Sequence, residues 1–232
     1  MGLVVPAVLP SSREDLEEKL ALFSRIPSAS RIQIDVVDGR FASPASWPYT
    51  APTEWQYRVE RREMLPRLDS FEYEVDLMCV DPESAAEEWL ALGATRLSFH
   101  AESVTDLPRL LSFARRRYGS FISFGLALNI ASDLALIEPC FKEIEYVQFM
   151  GIAQAGRQGQ PFDERVFEKV RIFLDRHPGF PVQVDGGVSL KNAKKLVGLG
   201  VTNLVIGSAL LRASDPAAAF AAFEALESPY GV

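Results

Sequence analysis

The 232-residue chain predicts an α/β fold, a single-domain (β/α)8 barrel spanning residues 1–232. Three observations point there. Eight short apolar runs alternate with helical patterns from end to end, two runs near opposite ends of the chain close on carboxylates, and glycines follow the last two runs. Regular alternation of this kind gives parallel strands joined by helical crossovers, and eight units match barrel closure. The rival, an open doubly wound sheet, lacks a Gly-x-Gly-x-x-Gly turn after the first strand.

The predicted strands are Val4–Leu9, Arg31–Val36, Tyr73–Met78, Arg96–His100, Ile122–Leu128, Glu145–Met150, Val182–Asp185 and Asn203–Ile206. Helical segments are expected in each gap. Ser11-Ser12-Arg13-Glu14 reads as a capping box opening the first. Asp81-Pro82-Glu83 and Asp215-Pro216 each place a capping carboxylate before a proline in the first turn, and Gly93 stops the helix that begins at Pro82. Ser189 caps a helix running to Leu196, ended by Gly198 and Gly200. Arg40 to about Thr53 is the one long irregular segment, rich in proline and aromatics; it reads as a packed loop, a lid or a subunit contact.

Composition narrows the function. A hydrophobic content of 48% with 24% charged residues suits a globular chain, and a net charge of -7 argues against general nucleic-acid binding. Arg115-Arg116-Arg117 is read as a solvated helix end, and so is His177. No apolar run approaches the roughly 20 residues of a membrane helix. The first residues lack a basic region and are interrupted by Pro6, unlike a signal peptide. A cytoplasmic protein without disulfides is expected from its two cysteines, Cys79 and Cys140. Aromatics between Arg40 and Tyr57 suggest self-association.

Alternation along strands sends successive side chains to opposite faces. One face carries Ile32, Ile34 and Val36; the other carries Gln33 and Asp35. The same rule turns Glu74, Asp76 and Met78 inward on strand three, Ser98 and His100 on strand four, Gln148 and Met150 on strand six, and Gln183 and Asp185 on strand seven, with Ala7 on strand one. Unpaired buried Gln and Asp cost several kcal/mol, about 2–7 for an amide, so a core packed for stability alone would not place them there. The barrel top is therefore acidic. Asp35, Asp76 and Asp185 converge at strand ends, where barrel active sites lie, and they require either a proton or a cation. Oxygen-rich ligation suits Mg²⁺, Mn²⁺ or Ca²⁺. Asp38, followed by Gly39, reads as a turn former. Gly186-Gly187 after strand seven and Gly207-Ser208 after strand eight match the common barrel phosphate site.

With these residues in place, the chain resembles the ribulose-phosphate 3-epimerase family from Pro6 to Pro216. The ordered motifs are Asp35-Val36-Val37-Asp38-Gly39-Arg40-Phe41, Leu77-Met78 with Asp81-Pro82-Glu83, Ser98-Phe99-His100-Ala101-Glu102, Gly125-Leu126-Ala127-Leu128-Asn129, Gly159-Gln160 with Phe162, Val184-Asp185-Gly186-Gly187-Val188 and Gly207-Ser208-Ala209. The resemblance implies an epimerase acting on a phosphorylated ketose, in which Asp35 and Asp185 exchange a proton on opposite faces of a carbon beside a carbonyl. It implies a divalent metal held at positions 33, 35, 76 and 185, a phosphate held by Gly159, Gly186, Gly187, Gly207 and Ser208, and a substrate pocket that includes Ala7, Met78, His100 and Met150. It also implies a homo-oligomer.

The chain departs from the family pattern at telling places. Gln33 and Asp76 stand where the family has metal-binding histidines. Mg²⁺ or Mn²⁺ could then replace the usual Zn²⁺ or Fe²⁺, or the metal could be lost. Ala7 replaces a substrate-contacting serine. The loop from Gly151 to Gly159 is one residue longer and carries Arg157-Gln158 in place of an aromatic and a glycine. Two alternatives follow: a catalytically silent sugar-phosphate binder, or another enolate-type barrel reaction. Schiff-base chemistry lacks an inward lysine on strands two to seven.

Overall fold

A computed structural model describes residues 2–226. The eight runs become eight parallel strands: β1 (Val4–Val8), β2 (Arg31–Val37), β3 (Glu72–Met78), β4 (Arg96–His100), β5 (Ser123–Leu128), β6 (Tyr146–Met150), β7 (Val182–Asp185) and β8 (Asn203–Ile206). They close in chain order, and β8 pairs back onto β1 through Val4 opposite Leu204 and Pro6 opposite Ile206. Every strand starts and stops within one residue of its predicted run, because the apolar alternation that fixes the outward face also fixes strand length.

The helices are α1 (Arg13–Phe23), α2 (Pro52–Arg61), α3 (Pro82–Ala91), α4 (Leu107–Tyr118), α5 (Arg165–Arg176), α6 (Leu190–Gly198), a short α7 (Ser208–Leu211) and α8 (Pro216–Glu224). Asp81 and Asp215 cap α3 and α8 as read, accepting from the Ser84 and Ala218 N–H groups. The first cap is displaced by one residue: Ser12 accepts from Asp15 N–H, while the Asp15 carboxylate accepts from Ser11. One expected helix is missing. Between β5 and β6 the chain makes only two 3₁₀ turns, Leu134–Leu136 and Glu138–Cys140. Asp133 accepts from Ala135 N–H and Pro139 has no N–H to continue an α-helix. Lys169 of α5 supports this loop by donating to the Asn129 and Ser132 carbonyls.

Outward strand residues such as Ile32, Ile34, Val36, Val75, Leu97 and Phe99 form one continuous core with the helices. The long loop after β2 belongs to that core. Trp47 is 1% exposed and stacks edge-on against Trp55 of α2 and Trp89 of α3. Ser46 pairs with both backbone groups of Val37. Of the aromatics expected to promote self-association, Trp47 and Trp55 are therefore buried, while Tyr49 and Tyr57 remain exposed. Two further readings are corrected. Arg115 is no solvated helix end: its guanidinium donates to the Gly119, Ile122 and Glu143 carbonyls and to the Glu145 carboxylate. His177 packs its ring against Phe141, with centroids 4.4 Å apart. Both cysteines are free and buried, and no described helix is long and apolar enough to cross a membrane.

The barrel interior is polar in layers. On its floor, Glu74 accepts from Arg96 Nε at 3.0 Å and from Arg31 Nη1 at 3.4 Å. The Arg96 guanidinium also lies over the Tyr146 ring, 4.2 Å from its centroid. Gly125 of β5 makes room for that ring, since a Cβ there would lie 2.2 Å from Tyr146 Cε2. Above this, Gln183 donates to Glu74 and to Gln148. Glu74 is thus the counter-charge for two arginines sealed under the site. Replacing Glu74 with Ala leaves both without it, and loss of one partner of a buried ion pair costs about 3–5 kcal/mol. Chemical denaturation should show a loss of that order; a loss under about 1 kcal/mol would show that the floor relaxes around the cations.

Candidate active site

Alternation along β2, β3 and β7 brings Asp35, Asp76 and Asp185 to the C-terminal mouth of the barrel. One oxygen from each lies within 4.8 Å of the others. Asp35 and Asp76 are paired directly in the β2–β3 register. Asp185 arrives from across the barrel, and a single group spans the gap: Gln33 Nε2 donates to Asp35 Oδ1 at 2.9 Å and to Asp185 Oδ2 at 3.0 Å. Gln33 Oε1 faces Gln183 Nε2 at 3.5 Å. Asp76 is fully buried. Its Oδ2 accepts from Gln148 at 3.0 Å, His100 Nε2 lies 3.2 Å from its Oδ1, and no hydrogen bond of good geometry reaches that Oδ1. No arginine or lysine pairs with these three aspartates among the described residues; Arg31 and Arg96 pair below with Glu74.

A cleft opens above Asp35 and Asp185. Ala7, Met78, Met150, Gly159, Gly186, Gly187, Gly207 and Ser208 all line it, as does Ile152. His100 does not: it is fully buried beneath the cleft, against Asp76 and beside Phe41, and its Nδ1 has no hydrogen-bond partner. The expectation that His100 lines the pocket is therefore corrected. Its inward position was legible, but its depth depends on which side chains cover it. Gly186 and Gly187 have φ of +102° and +68°, and a Cβ on Gly187 would lie 2.7 Å from Phe162 Cα. Only glycine fits this close turn and its positive φ. Asp38 takes the turn role: Oδ1 accepts from Arg40 and Phe41 N–H groups and Oδ2 from Val80 N–H.

Two cations stand at the mouth, of which sequence reasoning marked Arg157 only as a departure from the family loop and Arg212 not at all. Arg157 lines the cleft and donates to the Ser43 carbonyl at 2.8 Å. Arg212 lies against Gly159, where a Cβ would be 2.9 Å from its Nη2. Arg212 is exposed on the turn just after α7, and no local pattern marked its approach to a loop some 50 residues earlier.

Burial, reinforced by the Asp76 charge, pushes Asp35 up to about 8 against the hydrogen bond from Gln33. Asp185 rises well above the ordinary carboxylate range by burial and by the charges of Asp35 and Asp76. Burial opposes the His100 charge, but Asp76 outweighs it and the His100 pKa is raised. Two like charges across one amide cannot both ionise freely, so the pair holds a proton near neutrality. The donor set also fits a hard divalent cation. It consists of three carboxylates, one with an oxygen free of good hydrogen bonds, and a carboxamide whose half-turn would present Gln33 Oε1 where Nε2 now stands. It offers no imidazole, since His100 faces Asp76.

A folded-state pKa raised from 3.8 to about 8 means that the metal-free native protein holds a proton the unfolded chain releases. Stability from this group is full below pH of about 4 and is lost as pH rises toward 8. In EDTA, thermal unfolding should fall over that range, and Asp35→Asn should flatten the slope. An unchanged slope in the variant would remove Asp35 as its cause. A divalent cation should oppose the loss, because it binds the ionised carboxylates better at higher pH.

Residues 3–211 match the model of the ribulose-phosphate 3 epimerase family. A ribulose-phosphate 3-epimerase of Aquifex aeolicus is 26% identical over 219 residues, covering 93% of this chain and 92% of that protein. One of Schizosaccharomyces pombe is 24% identical over 213 residues, covering 92% and 88%. Among solved structures, the barrel resembles 3-hexulose-6-phosphate synthase from Salmonella typhimurium with a TM-score of 0.68 at 17% identity, covering 97% of this chain and 98% of that one. That likeness is one of fold. Fold, ordered motifs and match over nearly the whole length agree: the chain belongs to the ribulose-phosphate 3-epimerase family.

Proposed function

We propose that the protein is an epimerase of a phosphorylated ketose, working by proton transfer between Asp35 and Asp185 through an enediolate. One observation carries this reading: two carboxylates from β2 and β7, joined by the Gln33 carboxamide, flank the floor of the cleft with raised affinities for a single proton. A pair holding one proton presents one base and one acid at once, which proton transfer on two faces of a carbon requires.

The substrate phosphate sits against the backbone of Gly186-Gly187 and Gly207-Ser208, and the sugar chain descends toward Asp35 and Asp185. The ionised aspartate takes the proton from the carbon beside the carbonyl, and the C–H electron pair moves into the carbonyl to give the enediolate. The protonated aspartate then delivers its proton to the opposite face. The carbon is inverted, no electrons are gained or lost overall, and the two carboxyls have exchanged protonation states. Met78, Met150 and Ile152 exclude water around the reacting carbon. Asp35, Asp76, Asp185 and Gln33 would hold a divalent cation, Mg²⁺ or Mn²⁺ by its oxygen donors; when bound, it supplies positive charge beside the enediolate oxygens.

Asp35→Asn and Asp185→Asn should each lower kcat by about 10²–10⁴ on the active ketose phosphate, with KM changed much less. Coupled kinetic assays with folded variants check this. A variant that keeps full turnover would exclude its aspartate from proton transfer. Dialysis against EDTA should lower the rate and Mg²⁺ or Mn²⁺ restore it; full activity in EDTA would show that the reaction needs no bound cation.

A further inference from the structure

The loop after β6 crosses the barrel mouth to the loop after β2. Gly156, at φ +83°, packs so closely that a Cβ there would lie 2.9 Å from Ala42 Cβ, and Arg157 Nε donates to Ser43 O at 2.8 Å. Held on both sides, the next residue, Gln158, turns down into the cleft. Its Nε2 lies 3.5 Å from the Ala7 carbonyl oxygen, and a Cβ on Gly207 would lie 2.6 Å from the same nitrogen. Gln158 and Asp35 line the same cleft. Gln158 therefore spans the space between Gly207, at the phosphate end, and Asp35, at the reacting end. Its hydrogen bond to the Ala7 carbonyl is long, so the amide keeps donor and acceptor capacity for a ligand. β1 contributes no polar side chain to the cleft: its lining residue is Ala7.

We propose that Gln158 is a specificity-determining residue whose carboxamide hydrogen-bonds the hydroxyl on the carbon between the reacting carbon and the phosphate. The assignment rests on the sugar-phosphate reading above. A ketose anchored by its phosphate at Gly207 and reacting at Asp35 must lay that intervening carbon along Gln158. A carboxamide there both donates to and accepts from a hydroxyl, and it fixes the configuration and chain length that fit. A hydroxyl on β1 would approach the substrate from below; Gln158 approaches from the roof, so the set of sugars accepted changes with it.

Calorimetric titration with Mg²⁺ present tests this, using ribulose 5-phosphate, its 4-deoxy analogue and inorganic phosphate against the unchanged protein and Gln158→Ala. Ribulose 5-phosphate should bind about tenfold more weakly to the variant, the loss of about one good hydrogen bond. Inorganic phosphate should bind both proteins alike, and the 4-deoxy analogue should bind the variant no worse than it binds the unchanged protein. Equal losses for the sugar phosphate and inorganic phosphate would place Gln158 in the phosphate cradle and overturn the assignment. Unchanged sugar-phosphate affinity, or a 4-deoxy analogue that loses as much as its parent, would overturn it too. If the unchanged protein bound inorganic phosphate but no ketose phosphate, the underlying reading itself would fail, an outcome distinct from the others.

Discussion

Three carboxylates share a buried space too small for three negative charges, and the rest of the barrel interior is arranged around that constraint. Asp35, Asp76 and Asp185 sit within 4.8 Å of one another at the strand ends. Gln33 lies between two of them, and Gln148 and His100 hold the third. Gln183 links these groups to Glu74, whose own charge is met by Arg31 and Arg96. Cations thus neutralise the floor, while among the described residues no arginine or lysine pairs with the three carboxylates at the mouth. A carboxylate cluster kept in that state binds a proton or a hard cation strongly, and either one is useful beside an enediolate.

Most of this was legible in the sequence because strand alternation is a strict rule. Gln33, Asp35, Asp76 and Asp185 share a face by parity alone, and the closed barrel turns that face inward. The glycine pair after β7 was visible for a related reason: a strand that ends in Asp-Gly-Gly has few other uses for two residues without a Cβ. Parity says nothing of depth, however. It placed His100 inward but could not tell that Asp76 and Phe41 would seal it below the cleft. Loops followed still less. Trp47 reads as a surface aromatic in a proline-rich stretch, yet it is core, because α2 and α3 bring Trp55 and Trp89 to it from elsewhere in the chain. Arg115 likewise reads as one of three solvated arginines until the turn at Gly119 folds carbonyls back around it.

By the resemblance, Gln33 and Asp76 stand where the family has histidines, and that replacement changes the donor chemistry of the centre. An imidazole donor set selects borderline metals, whereas carboxylates and a carboxamide select Mg²⁺ or Mn²⁺. The substitution also lets the centre exist without any ion, since the Gln33 amide can donate to both aspartates at once. His100, pressed against Asp76, has its charged form favoured by that carboxylate against the cost of burial. The altered roof, in which Arg157 and Gln158 enter, places the second departure directly over the first.

The central claim is that Asp35 and Asp185 move a proton at a sugar carbon. Incubation in D₂O with a panel of ketose phosphates, in EDTA and with Mg²⁺ or Mn²⁺, reads it directly by NMR. Deuterium should enter at the carbon beside the carbonyl of one sugar phosphate, fastest with the hard cation and at least about a hundredfold slower in Asp35→Asn. A protein that binds sugar phosphate yet exchanges no proton under any of these conditions would contradict the claim and leave a binding barrel that has kept its family's fold without its reaction.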